Sequence, residues 1–396
     1  MVIRIAGGMP RNVWVLSLVA FLVMVGFGVL VPVLPVFARG FGVSQFAVGA
    51  VISAFALARL LTTPWCGRIN QFIGERAALG SGIGIVALST AAAGMAQSYW
   101  QLLVLRGIGG IGSAMFTVAA MTLLLASVPD SLRGRASAVF SGGFLLGGMA
   151  GPAVGGIFAA ISLRAPFFFY AGTLLMAGLA GLGWLRRPDQ APADRGGEAG
   201  TSLRGALTQK RFRAACLANF ASGWQAHGAR STLVPILVVE VLHRPATWTA
   251  LSFALAAVVQ GIALAPVGRA VDSWGRRPVL AGGLLICAAA GGAVPFAPDI
   301  GWLSLLLCVF GVGAAALATA PTAIVGDVTK GAGGSAVAVF QMHSDLGTIA
   351  GPLIAGMLAD RFGLLIAFGV GAALMAIVGL WSSTATSTQP GPQATG

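Results

Sequence analysis

Residues 136–156 read ASAVFSGGFLLGGMAGPAVGG, and residues 336–356 read AVAVFQMHSDLGTIAGPLIAG. At a shift of 200, ASAVF lies over AVAVF, Gly147 over Gly347, Gly151 over Gly351, Pro152 over Pro352 and Gly156 over Gly356. The same shift, within one residue, pairs Pro35 with Pro235, and Gly67, Gly74 and Arg76 with Gly268, Gly275 and Arg277. Glycine is abundant (58 residues), so no single match carries weight. All of them on one offset indicate a unit used twice, the internal repeat from which many membrane proteins are built.

Composition says what each unit contains. Hydrophobic residues make up 57% of the 396 and charged residues 9%, against about 25% charged in a soluble domain. So few charges cannot cover a water-exposed surface, so lipid must cover much of it. There is no Gly-x-y period, and the chain is far too apolar for disorder. A window of roughly 20 residues places spans near 13–37, 46–66, 78–97, 100–126, 136–160 and 166–185. Six more fall near 214–239, 247–267, 279–296, 302–326, 334–358 and 363–384. The first is too long for a signal-peptide core.

The expected fold is an all-α membrane protein, with twelve transmembrane helices as two pseudo-symmetric six-helix bundles. One bundle spans 1–185 and the other 214–396, the latter ending in a short tail. Between them lies a charged linker over 186–213, RRPDQAPADRGGEAGTSLRGALTQKRFR. The basic residues divide unevenly between the two sides of these spans. Arg4, Arg11, Arg68, Arg76, Arg133, Arg135, Arg186, Arg187, Arg195, Arg204, Lys210, Arg211, Arg213, Arg269, Arg276, Arg277 and Lys330 fall on one side. Arg39, Arg164, Arg244 and Arg361 fall on the other. The positive-inside rule therefore predicts both termini and the linker in the cytoplasm.

The net charge of +13 sits in short loops rather than in a groove-sized patch, so no nucleic acid is expected as a partner. Cys66, Cys216, Cys287 and Cys308 form no C-x-x-C pair, so reduced thiols and no metal site are expected. No phosphate-binding loop appears and the three histidines are scattered, so neither an enzyme nor a cofactor is expected.

The loop after the eighth span reads GRAVDSWGRRP, Gly268 to Pro278. Gly268 and Gly275 permit a tight turn, Arg276 and Arg277 anchor at the cytoplasmic face, and Asp272 can meet the N-terminus of a neighbouring helix. With these residues in place, the chain resembles the major facilitator superfamily over essentially its whole length. The first-half copy, GRINQFIGER (Gly67 to Arg76), departs from the superfamily pattern, with Gln71 in place of the acid and Glu75 in place of a base. Arg106 in LLVLRGIGGIGSA resembles the fourth-helix arginine of that superfamily. GGMAGPAVGG, Gly147 to Gly156, resembles the fifth-helix signature of its exporters. Gly147, Gly151 and Gly155 also share a helix face at i, i+4 and i+8, and Pro152 permits a bend. Gly351 and Pro352 repeat the motif. VPVLP (Val31 to Pro35) is typical of the superfamily's first helices, but it lacks the acid common in cation-preferring drug antiporters.

Ionisable groups inside spans mark function by default. Asp345 is the acid placed deep in a span, and Arg59, Arg106 and Arg230 are the arginines. Arg59 lies near enough to the cytoplasmic end of its span to reach water. Asp345, Arg106 and Arg230 are the proton-coupling candidates, with Arg230 expected within reach of Asp345 in one state, since their depths differ by roughly 7–8 Å. Gln225, His227 and Arg230 are the substrate-cavity candidates, the last two on one face at i, i+3.

The resemblance implies a secondary transporter of the cell membrane, working by alternating access as a functional monomer on a small-molecule substrate, protons and the lipid bilayer. Proton-coupled export of small amphipathic compounds is the expected activity. A metabolite importer, an exporter of anions or lipids, and a non-transporting sensor or scaffold stay open. The arginine excess favours a neutral or anionic substrate over a dication.

Overall fold

A computed structural model describes residues 9–129, 132–185, 203–329 and 334–384. Residues 186–202 of the expected linker, both termini and Lys330 lie outside them. Every regular element among the described residues is helical. The first half comprises α1 (Arg11–Leu30), α2 (Leu34–Arg39), α3 (Gln45–Ile73), α4 (Glu75–Gly94), α5 (Tyr99–Ala126), α6 (Arg133–Ile161) and α7 (Ala165–Trp184). The second opens with α8 (Leu203–Thr208) and α9 (Lys210–Trp224), then a π-helix, π1 (Gln225–Leu233), three α-helical residues and a second π-helix, π2 (Leu237–Val241). It closes with α10 (Ala246–Ser273), α11 (Arg276–Ala293), α12 (Ile300–Thr329) and α13 (Gly334–Thr384). Among the described residues, ten helices are long and apolar enough to cross a membrane, which makes this a multi-pass membrane protein.

Sequence details set the boundaries. Ser44 and Ser98 cap α3 and α5, each side chain accepting a backbone N–H three residues on. Gly74 and Gly275 adopt φ of 84° and 95° at equivalent helix-to-helix turns, a region that favours glycine. Gly67 and Gly268 do not make those turns. Both lie inside helices with open space around them, because the helices run past the expected span ends before they stop. Of the expected linker, the described part holds a short helix over Leu203–Thr208, and α9 opens at Lys210. Pro235 lies two residues beyond the end of π1. A proline ring collides with the carbonyl four residues back, and widening the turn to i→i+5 relieves this. Ser231 and Thr232 back-bond to Ala226 and His227, five residues earlier. α13 runs for 51 residues and is interrupted at Gly363, with φ 82° and ψ 168°.

One core gathers Leu16, Leu79, Leu102, Leu124 and Phe167 from the first half, joined by Ile236. Two more gather second-half residues, one around Phe212, Leu284 and Phe310, the other around Leu233, Phe253 and Phe368. In lipid, helix contact depends on close packing rather than on water exclusion, and the small residues supply it. A Cβ on Gly151 would lie 2.6 Å from Gly28 Cα, and one on Gly228 2.7 Å from the Gly351 carbonyl carbon. Gly147 and Gly155 complete the α6 face against α1, while Gly347 presses on Phe220 and Trp224. The two joints, α1 with α6 and the α9–π1 segment with α13, sit on the offset read from the sequence.

Candidate functional site between the two halves

α3 and α13, from opposite halves, meet at close range. A Cβ at Gly49 would overlap the Pro352 carbonyl and one at Gly356 the Gln45 carbonyl, so backbone lies on backbone at both points. Ser53 Oγ donates to the Ile349 carbonyl at 2.7 Å. At the end of the contact, Asp360 accepts from the backbone N–H groups of Gln45 and Phe46, both at 2.8 Å. Those amides open α3, where N–H groups lack helical partners and the helix dipole favours negative charge. Beside them Arg39 Nε meets Glu240 Oε1 at 2.7 Å. The hydrogen bond to Glu240 raises the Arg39 pKa above its ordinary value, so this arginine stays charged.

Midway along α3 the same face carries Arg59, ion-paired to Asp345 of α13. This bears on two expectations. Asp345 pairs with Arg59 and not with Arg230. Arg59 is not near a helix end: α3 has 29 residues and continues to Ile73, which leaves Arg59 at its middle. The pair is partly exposed, 35% for Arg59 and 26% for Asp345. Charge at that depth avoids hydrocarbon, so the exposed edge lines the gap between the halves.

Arg106 of α5 is 4% exposed, its guanidinium 4.4 Å from the centre of the Phe55 ring, and its Nε has no partner. Phe55 is one turn from Arg59 on α3. Arg230 lies 5.1 Å from the Phe253 ring and 5.7 Å from the Phe310 ring, and it forms no ion pair among the described residues. A cation–π contact returns about 0.5–2 kcal/mol, less than the ~2.5–3.5 kcal/mol that an arginine costs at mid-membrane.

Arg230 and His227 do not share a face. The expectation assumed α-helical winding, and π1 adds a residue per turn. His227 Nδ1 faces the Gly223 carbonyl at 3.2 Å and Thr348 Oγ1 of α13 at 3.3 Å, while Arg230 turns towards α10 and α12. Arg59, Arg230 and Asp345 are all near enough to act electrostatically on His227. Gln225 is 1% exposed, its Oε1 lacks a partner, and Gly291 and Gly371 give it room. The second half's own helices enclose it rather than a cavity between halves.

The loop residues take plainer roles. Arg276 pairs with Asp327 at 3.0 Å, and Arg277 Nε donates to the Ser382 carbonyl at 3.0 Å. Asp272 is exposed and forms no hydrogen bond or ion pair among the described residues. Two other carboxylates do cap helices: Asp299 accepts from the backbone N–H groups of Gly301 and Trp302 at the start of α12, and Asp360 accepts from those that open α3, a role the sequence did not reveal. Ser53 and the Arg39–Glu240 pair were missed as well, and Arg59 was seen inside its span but given no role. Arg39 and Glu240 stand 201 residues apart, so the repeat offset itself was a signal.

The chain is similar to proteins of known kind. Quinolone resistance protein NorA of Staphylococcus aureus (strain MRSA252) is 31% identical over 171 residues, 42% of this chain and 42% of that protein. Multidrug resistance protein 1 of Bacillus subtilis (strain 168) is 30% identical over 181 residues, 44% of this chain and 45% of that protein. Each match spans less than half the length of these relatives. Among solved structures, a bacterial homolog of the human lysosomal transporter Spinster, inward-facing and occupied, superposes with a TM-score of 0.77 at 17% identity. That alignment covers 95% of this chain and 97% of the other. The nucleoside transporter NupG (D323A mutant) gives 0.77 at 13% identity, over 95% and 100%. At such identities the likeness establishes the fold alone. The Major Facilitator Superfamily model matches residues 16–259 and 215–395, nearly the whole chain, so the protein belongs to that superfamily.

Proposed function

We propose that this transporter is a proton-coupled exporter of small amphipathic compounds, working by alternating access between two six-helix bundles. Taking Lys210–Val241 as one span and dividing α13 at Gly363 brings the ten apolar helices to twelve. The names of the two bacterial relatives, quinolone and multidrug resistance, support export. On the charge-based topology the termini lie in the cytoplasm. The ties at Gln45, Arg39 and Ser53 then stand at the outer face, and the arrangement described is closed to the outside.

The observation that carries the proton coupling is Asp345, a carboxylate at mid-membrane depth on the contact between halves. Protonation there changes a charge where the halves must part, so proton binding and conformation are linked. One proton per neutral substrate at ~150 mV supplies about 3.4 kcal/mol, or roughly 300-fold accumulation.

The test is Asp345→Asn in proteoliposomes. The variant should lose uphill, proton-driven export while keeping substrate exchange. Uphill export at the wild-type rate would remove Asp345 from the mechanism.

A further inference from the structure

The halves meet along two edges, and the edges are chemically unlike. On the α3–α13 edge stand Arg59–Asp345, Ser53 and the Asp360 cap. On the α6–α10 edge, a Cβ at Gly156 would meet Ala250 Cβ at 3.5 Å, and one at Gly261 would meet the Met149 side chain. The repeat offset makes the comparison direct. Asp345 corresponds to Leu145 at a shift of 200, and Arg59 to Gln260 at a shift of 201. One copy carries an acid and a base; the other carries neutral side chains.

Arg59 and Asp345 are 286 residues apart and belong to helices that must separate at the outer face when it opens. Other ionisable groups near the carboxylate are few. From π1 come His227 and Arg230, both in the electrostatic neighbourhood shared with Arg59 and Asp345. From α13 itself comes His343, whose Nδ1 faces the Val339 carbonyl of its own helix at 2.7 Å. Neither histidine is ion-paired to Asp345, and Arg230 is turned to its phenylalanines. Arg59 is therefore the group whose hold on α13 depends on the Asp345 charge.

We propose that Arg59 is the positioning partner of Asp345, and that the pair is a proton-released latch on one edge of the outer closure. The proposal rests on the exporter reading for its purpose, not for its test. A proton from water in the gap adds to an Asp345 carboxylate oxygen and cancels its charge. The Arg59 charge remains, the ion pair weakens to a hydrogen bond from the guanidinium to a neutral carboxyl group, and the α3–α13 edge is held less tightly. Arg59 needs no contact with substrate for this.

The experiment reads the edge itself. Ser53, 3% exposed and seated between α3 and α13, is replaced by cysteine. Its labelling by a membrane-impermeant maleimide from outside is divided by that of a Pro245→Cys chain, which cancels the pH dependence of the thiol reaction. Labelling of the parent chain is subtracted from both. In the otherwise unchanged chain the ratio should be low near pH 8 and rise as the pH is lowered. Asp345→Asn and Arg59→Gln should each raise it about fivefold near pH 8 and remove the pH dependence, while Arg59→Lys keeps both. The swapped pair, Arg59→Asp with Asp345→Arg, should restore the low ratio. A ratio unmoved by either single neutral variant, or a swapped pair as open as the singles, overturns the latch. Labelling requires no flux, so the two readings fail separately. A responsive edge without uphill export refutes the exporter; uphill export with an unresponsive edge refutes the latch.

Discussion

Gly49 and Gly67 lie on the same helix and invite opposite outcomes. A methyl at Gly49 would overlap the Pro352 carbonyl, and backbone cannot step aside as a side chain can. Gly49→Ala should therefore prevent full closure of the α3–α13 edge and slow export at least ~tenfold, since overpacking costs about 1–3 kcal/mol. Gly67 has open space within 4 Å and sits in a helix. Gly67→Ala should leave export unchanged and raise the melting temperature in detergent slightly, alanine being the better helix former by about 1 kcal/mol. Equal loss of export in both variants would show that this contact is not special. Sequence motifs ranked these glycines the other way, placing Gly67 in a signature and ignoring Gly49. Residue types were legible at this scale, partners were not. Asp345 stood out because an acid in an apolar run is costly. Its partner depended on how far α3 continues past its apolar stretch, and hydropathy does not record that.

Helices were read well where an α-helix obeys its usual period, and poorly where it does not. Span positions agree with the elements to within a few residues at most ends, because apolar length is set by the bilayer. The π-helical turns before and after Pro235 left no mark in hydropathy, and they invalidated the i, i+3 argument for His227 and Arg230. Gly363 is the opposite case, a break the sequence placed within a few residues. Its backbone, at φ 82° and ψ 168°, occupies a region essentially confined to glycine, where another residue costs about 1–3 kcal/mol. Gly363→Ala should lower the melting temperature by several degrees even though its Cβ would meet nothing within 4 Å. An unchanged melt would mean that the break is relaxed rather than held.

At the scale of the molecule, topology and the freedom of the two halves are open to direct measurement. A cysteine at Pro245 should react with an external impermeant maleimide in intact cells, and one at Ala193 should not. External labelling at Ala193 would invert the molecule and move the Asp360 and Glu240 ties to the cytoplasmic face. Replacing residues 190–200 with Gly and Ser should leave export within about twofold, because a tether between rocking bundles needs length and flexibility more than sequence. A loss as large as that of Asp345→Asn would show the tether to be a working part.

The joint between Gly28 and Gly151 and the joint between Gly228 and Gly351 are two castings from one mould, set 200 residues apart. A transporter that repeats a joint in this way supplies its own matched comparison. The same methyl can be added to either copy, in the same membrane, against Gly28 and Val25 in one and the Trp224 backbone in the other. Gly151→Ala strains α6, the helix on the neutral edge; Gly351→Ala strains α13, the helix that bears Asp345. Equal effects would mean that the repeats still share the work evenly. Any difference would measure how far the two copies have specialised since they were one.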